Sequence, residues 1–309
     1  MKLRVVFMGS PAFSVPTLKA LANSFKVVGV ITQPDKPTGR GRKVTSNPVK
    51  IEANNLDIPC IQPTDLAEDY LRGQLEEWSP DVIVVVAYGK ILPKWILDFP
   101  DLGCINIHAS ILPQHRGSSP ISAAIMRGDR TTGVTTMMMD QGLDTGDILL
   151  QASVEINDRE TSGSLSEKLM ELGAELVVKT ILKVCDKTLK SVSQDNSKAT
   201  ETSLLSKNDG KINWNQSAAE IDRQIRAMNP WPIAFFTFNG ESIKVWEAEP
   251  RAGNEVAGKV ISIGKDGVVV GAKTDLIVLK QLQAPGKKKV AAFELASSKG
   301  IKLGDILNN

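Results

Sequence analysis

A chain of 309 residues is long enough for two domains, each with a core of its own. An apolar fraction of 42% and a charged fraction of 23% exclude a disordered or fibrous chain, and a net charge of +2 points only weakly to a polyanionic partner. Cys60, Cys104 and Cys185 stand far apart with no C-x-x-C zinc or redox signature, which suggests reduced, mostly buried thiols and a cytoplasmic setting. The opening "MKLRVVFMGS" runs straight into a strand pattern, so no signal peptide is expected. No apolar run approaches the roughly 20 residues that span a bilayer, so no membrane partner is expected.

The first part of the chain alternates strand-like and helix-like segments. Strands are predicted at 3–9, 27–32, 59–62, 81–89, 104–110 and 133–140, several as continuous Val and Ile runs covered on both faces. Helices are predicted between them at 15–24, 48–55, 65–78 and 120–128, with a long amphipathic helix at 166–184. This alternation defines an α/β class: a doubly wound, mostly parallel, Rossmann-like sheet. The expected boundaries are a first domain at 1–185, a polar linker at 186–208 and a second domain at 209–309. The second domain offers one helix, 217–228, then short strands at "AFFTF", "SIKVWEAE", "AGKVISI", "GVVVGA" and "DLIVLKQLQ". Their spacing predicts a small β-barrel, with an oligonucleotide-binding (OB-like) barrel as one candidate.

Both histidines of the chain fall in "INIHASILPQHRGSSPI" (105–121). Strand alternation places Asn106 and His108 on one face at the carboxyl end of a central strand, where ligands sit in open α/β sheets. The later loop "MMMDQGLDTGD" (137–147) offers Asp140, Asp144 and Asp147 among glycines. An Asn, a His and an Asp suit acyl transfer without a covalent nucleophile. Asn and imidazolium N–H groups donate to a developing oxyanion, and a carboxylate orients the histidine or takes a proton. The same residue types also serve as turns and caps, so the pattern alone leaves a structural reading open. "GSPAFS" (9–14) lacks the G-x-G-x-x-G spacing of a dinucleotide site, and no P-loop pattern occurs.

An ordered series of segments resembles the formyltransferase family that uses 10-formyltetrahydrofolate: "NIHASILPQHRG" and "TGVTTMMMDQGLDTGDIL", with "FMGSPAFSVPTL", "TQPDKPTGRGRK", "SNPVK", "AYGKILP", "IRAMNPWPIAFF" and "LQAPGKKK". The resemblance covers almost the whole chain. It implies Asn106, His108 and Asp144 as the catalytic trio, and no metal. It implies attack on the formyl carbon by the α-amino group of methionine esterified to initiator tRNA, by an expected monomer. For the folate it points to the backbone of Ser110, Ile111, Leu112 and Pro113, with further contacts from Val86, Tyr88, Gly89, Met139 and Asp140. Here the pair Gln114–His115 departs mildly from the family pattern, and His115 is expected as a loop or packing residue. Formylation of a small amine (glycinamide ribonucleotide or an amino sugar) and non-catalytic RNA binding are the competing readings.

The segment 33–47 reads as a long loop carrying Arg40, Arg42 and Lys43, which suit RNA phosphates. Residues 210–309 hold 14 Lys plus Arg against 10 Asp plus Glu, with "GKKK" (286–289) the densest run. Lys287 and Lys288 are therefore expected to position the RNA backbone. Trp231, in "NPWP", is expected as a buried hydrophobic plug.

Overall fold

The structure is a computed structural model that describes residues 2–38 and 43–307. The chain forms two compact units: Met1–Pro120 with Thr131–Glu155 and Ser166–Thr202, and Ile121–Arg130 with Ile156–Leu165 and Ser203–Asn309.

In chain order the first part contains β1 (Arg4–Gly9), α1 (Val15–Ser24), β2 (Lys26–Ile31), β3 (Lys36–Thr38), β4 (Lys43–Thr45), α2 (Pro48–Asn55) and β5 (Cys60–Ile61). It continues with α3 (Glu68–Trp78), β6 (Val82–Val86), α4 (Lys94–Leu97), β7 (Cys104–His108), β8 (Arg116–Gly117) and α5 (Pro120–Arg127). β9 (Thr131–Met138), β10 (Ile148–Glu155), α6 (Ser162–Cys185) and β11 (Glu201–Thr202) complete it. The main sheet runs β10-β9-β7-β6-β1-β2-β5. The five strands from β7 to β5 pair in parallel, whereas β9 pairs antiparallel with β7 and β10 antiparallel with β9. The mostly parallel α/β expectation therefore holds, with an antiparallel edge.

Central β6 reads VIVVV and is buried along its whole length, as both-face coverage requires. On β2, Gly29 lies under the Trp78 indole, where an added Cβ would stand 2.4 Å from the ring. The α2 helix starts where Asn47 accepts from Lys50 N at 3.0 Å, an N-cap followed by proline at the first helical position. β10 was not anticipated: its exposed alternate positions give it the pattern of an edge strand. The segment expected as an irregular loop at 33–47 contains the β3–β4 hairpin, with Lys36 opposite Thr45 and Thr38 opposite Lys43.

Part of the stretch expected as a linker (186–208) pairs with the first unit. Val192 bridges Ile148, and β11 pairs in parallel with β8, so residues 191–202 lie on the first unit. Polar side chains of this stretch bond the loops they cross, as described below. Cys104 is buried, which pushes its thiol up to about 12, while Cys60 is partly exposed and Cys185 exposed.

The second unit contains α7 (Ala218–Ala227), β12 (Ala234–Phe238), β13 (Glu241–Arg251), β14 (Val260–Gly264), β15 (Gly267–Gly271), β16 (Leu276–Gln283), β17 (Val290–Ala291) and α8 (Ala292–Lys299). Its sheet runs β12-β13-β16-β15-β14, all antiparallel, with β17 on β16. Among the described residues the pairing does not return from β14 to β12. The α7 helix begins at a Ser217–Glu220 capping box and buries Ile221 and Ile225 against Trp214, Phe236 and Leu279. The α8 helix, not anticipated, stops at Gly300, whose φ of 71° closes its C-terminus. Trp231 is 52% exposed and is not the expected plug; Met228 and Ile233 on either side of the turn are buried instead. No helix among the described residues is long and apolar enough to cross a membrane.

Candidate active site

Asn106 and His108 share one face of β7 because side chains alternate along a strand. The 139–147 loop folds back because Met138 N donates to Asp147 O at 2.9 Å. Gly146 permits that pinch, since a Cβ there would stand 1.8 Å from Met138 O. Asp144 adopts φ 54°, a left-handed conformation that a short polar side chain tolerates.

These constraints bring Asp144 to both residues. Asn106 Nδ2 donates to Asp144 Oδ1 at 3.4 Å, and His108 Nδ1 lies 3.5 Å from Asp144 Oδ2. The His108 side chain is 6% exposed and that of Asp144 13%, so the pair is shielded but reachable. Gly117 N donates to Asp144 Oδ2 at 2.8 Å, the shortest contact the carboxylate makes. On the other side of the ring, His108 Nε2 lies 2.8 Å from the His115 carbonyl. A carbonyl only accepts, so Nε2 carries the hydrogen. The Nδ1 edge then faces the carboxylate, and the ring sits between two oxygen acceptors.

His115 is itself buried, with φ 58°. Its packing role matches expectation, but its backbone contact with His108 was not anticipated. Arg116 is also buried, and its partners are amide oxygens rather than carboxylates: Gln194 Oε1 at 3.0 and 2.8 Å and Asn196 Oδ1 at 2.8 Å. Thr200 Oγ1 accepts from His115 N, and Thr202 Oγ1 donates to Arg116 O. Gly117 fits under this strap because it lacks a Cβ, which would meet Thr202 O at 2.2 Å.

The residues expected to meet a folate follow the carboxyl ends of β6, β7 and β9. Ser110, Leu112, Val86 and Tyr88 have buried side chains, whereas Ile111, Pro113 and Met139 are partly exposed and Gly89 and Asp140 exposed. Around 110–113 the carbonyls already have partners: Ser110 O accepts from Thr135, Ile111 O from Gln114, Leu112 O from Gln151 and Pro113 O from Thr200. Leu112 N is also committed, to Thr135 Oγ1. The segment is therefore a braced wall that offers surface and second lone pairs. A Cβ on Gly89 would meet nothing within 4 Å, so space lies open beside the 86–90 loop. Of the residues expected to meet RNA, Arg40 and Arg42 lie outside the described residues, Lys43 begins β4, and Lys287 and Lys288 are exposed.

Residues 1–181 match the formyl transferase family and residues 204–300 match its C-terminal domain, so the chain belongs to the formyl transferase family. Curated relatives agree over full length. The methionyl-tRNA formyltransferase of Alkaliphilus oremlandii (strain OhILAs) is 42% identical over 99% of both chains. That of Desulfotalea psychrophila (strain LSv54 / DSM 12343) is 44% identical over 93% of this chain and 90% of its own. Among solved structures, the sugar 3N-formyl transferase WlaRD shares the fold at TM-score 0.66 and 18% identity, over 93% of this chain and all (100%) of its own. HypX from Aquifex aeolicus, solved with tetrahydrofolic acid, shares it at TM-score 0.65 and 15% identity, over 98% of this chain and 48% of that one.

Proposed function

We propose that this chain transfers the formyl group of 10-formyltetrahydrofolate to the α-amino group of methionine on initiator tRNA, for translation initiation. The observation that carries the reading is the meeting of Asp144 with both Asn106 and His108 on one face of β7. The full-length agreement with curated methionyl-tRNA formyltransferases supports the choice of acceptor.

The folate co-substrate supplies an activated formyl group when bound. Its site fits the open space at Gly89 and the partly exposed Ile111, Pro113 and Met139. The contacts of Asn106 Nδ2 and His108 Nδ1 with Asp144 are long for hydrogen bonds. The Asn106 amide is therefore free to turn to the formyl oxygen as it gains charge, and His108, held through Nε2 on the His115 carbonyl, presents its Nδ1 edge to the same centre. Removing one donor of this kind reduces turnover by roughly 100- to 1000-fold. Asp144 takes the proton that the attacking amine must lose, directly or through water, and that proton then serves the departing folate nitrogen.

In this reading the second unit and the 33–47 segment hold the tRNA. Arg40, Arg42, Lys43, Lys287 and Lys288 meet phosphates, and the second unit is an OB-like barrel whose described pairing is an open antiparallel sheet. The boundaries 1–185, 186–208 and 209–309 remain part of this proposal as functional divisions.

Single-turnover transfer from 10-formyltetrahydrofolate tests it, with methionyl-initiator tRNA and methionine methyl ester as acceptors. Rapid transfer to the tRNA only is expected. Transfer to small amines such as amino sugars, with none to the tRNA, would overturn the acceptor.

A further inference from the structure

The amide of Gln194 uses its full bonding capacity between the 144–146 backbone and the Arg116 side chain, so it links the two segments that flank His108. Its Nε2 donates to Asp144 O at 2.9 Å and to Gly146 O at 2.7 Å. Its Oε1 accepts from Arg116 Nε at 3.0 Å and from Arg116 Nη2 at 2.8 Å. Two donors and two lone pairs are the entire inventory of a primary amide.

The segments it joins are those that present acceptors to the imidazole. Residues 115–117 supply the His115 carbonyl to His108 Nε2 at 2.8 Å. Residues 144–146 supply the Asp144 carboxylate, 3.5 Å from Nδ1. A direct hydrogen bond between these segments runs from Gly117 N to Asp144 Oδ2 at 2.8 Å. That bond uses the carboxylate that must handle a proton. Gln194 instead grips Asp144 by its backbone carbonyl and leaves the carboxylate free.

The strap that carries Gln194 is fixed at both ends. Ser191 and Ser193 donate to Asp147 at 3.0 and 2.9 Å, and Thr200 and Thr202 bond His115 and Arg116. The amide is thus held in place before any ligand arrives, as preorganisation requires. Arg116 on its far side brings a buried positive charge to the amide oxygen, which strengthens both bonds.

We propose that Gln194 is a positioning residue for the transfer reaction: it sets the separation of the His115 carbonyl and the Asp144 carboxylate across the His108 ring. This deepens the transfer reading and rests on it for its kinetic consequence. A loss of registry of about 1 Å at a reacting centre lowers rate about 100-fold, so a loss of about 10- to 100-fold in kcat is expected. The KM for either substrate should change by no more than about two-fold, because Gln194 is placed on neither.

The test compares wild type with Gln194→Ala and Gln194→Glu. Glutamate keeps an acceptor for Arg116 but loses both donors to Asp144 O and Gly146 O. Because the chain has two histidines, ring ¹⁵N signals of labelled protein are separable, with His115→Asn assigning the His108 pair. The expected result is a fall in kcat with steady KM, together with displaced His108 ring signals, in a protein that still melts cooperatively. If Gln194→Ala does not fold, Gln194→Glu carries the test. Full kcat in a folded variant, or a fall in kcat with unmoved His108 signals, overturns the proposal. A wild type that transfers no formyl group to the tRNA overturns the transfer reading instead. In that event unmoved ring signals still overturn the positioning, and displaced ones support it.

Discussion

His115 meets His108 through its backbone: its carbonyl accepts from His108 Nε2 at 2.8 Å while its own φ is 58°. The position therefore asks for a residue that tolerates the left-handed region, and less for an imidazole. Asparagine tolerates it, whereas a β-branched residue there is strained by about 1–2 kcal/mol. His115→Asn should keep most of the turnover. His115→Val should lose turnover and several degrees of Tm, measured by single-turnover transfer and thermal melting.

Asp144 is the group through which Asn106 and His108 are joined. Asp144→Asn preserves size but removes the charge that faces the ring and the proton acceptor. It and His108→Ala should each lower the rate of formyl transfer by at least about 100-fold. The Kd for tRNA should stay near that of wild type. An Asp144→Asn enzyme with nearly full turnover would show that the carboxylate is not part of the chemistry.

Gly146 is needed for space. A methyl group at that Cα would stand 1.8 Å from Met138 O, and backbone on both sides cannot yield. Gly146→Ala should open the 139–147 loop and displace Asp144. An overpacking strain of about 1–3 kcal/mol is expected in urea unfolding, together with a fall in kcat. Gly264→Ala is the control: nothing lies within 4 Å of its added methyl, and its φ lies outside the left-handed region.

Much of this architecture was legible in the chain. Runs such as VIVVV in β6, short and β-branched, read as strands covered on both faces, and the alternation in CINIH put Asn106 and His108 on one side of β7. What escaped was contact between distant segments. Gln194 and Asn196 sit in a polar stretch that has no period and no apolar face, so nothing local distinguishes it from a linker. Their role exists only because Arg116, far away in sequence, needs acceptors. The edge strand β10 escaped for a related reason: only its pairing with β9 makes an exposed, mixed segment a strand. Trp231 was misjudged because apolar size argues for burial, while the prolines beside it hold a turn at the surface.

At the base of the β3–β4 hairpin, Asp35 accepts from Lys50 Nζ at 2.6 Å and from Gln62 Nε2 at 2.7 Å. The Lys50 bond first, then that of Gln62, holds the Asp35 carboxyl below its ordinary value of 3.8. A carboxyl depressed in the folded state stabilises fully above its unfolded pKa and loses that contribution as pH falls through the folded one. Asp35→Asn should therefore lower Tm at neutral pH, and the gap from wild type should close below about pH 4. A gap that stays constant from neutral pH to about pH 3 would mean that the ion pair contributes nothing and that shape alone matters.

Lys287, Lys288 and Lys289 are neighbours in sequence, but Lys289 differs from the other two. Its ammonium lies 4.2 Å from the Trp246 ring centroid, where the aromatic face holds it. Lys287 and Lys288 are exposed and have their charge available to a phosphate. Each phosphate contact contributes about 0.7–0.9 to the slope of log K against log salt. The double variant Lys287→Ala, Lys288→Ala should reduce that slope for tRNA by about 1–2, and Lys289→Ala by less. Equal slopes in all three proteins would remove this turn from the RNA-binding surface, because a contact that releases no counterion is not a phosphate contact.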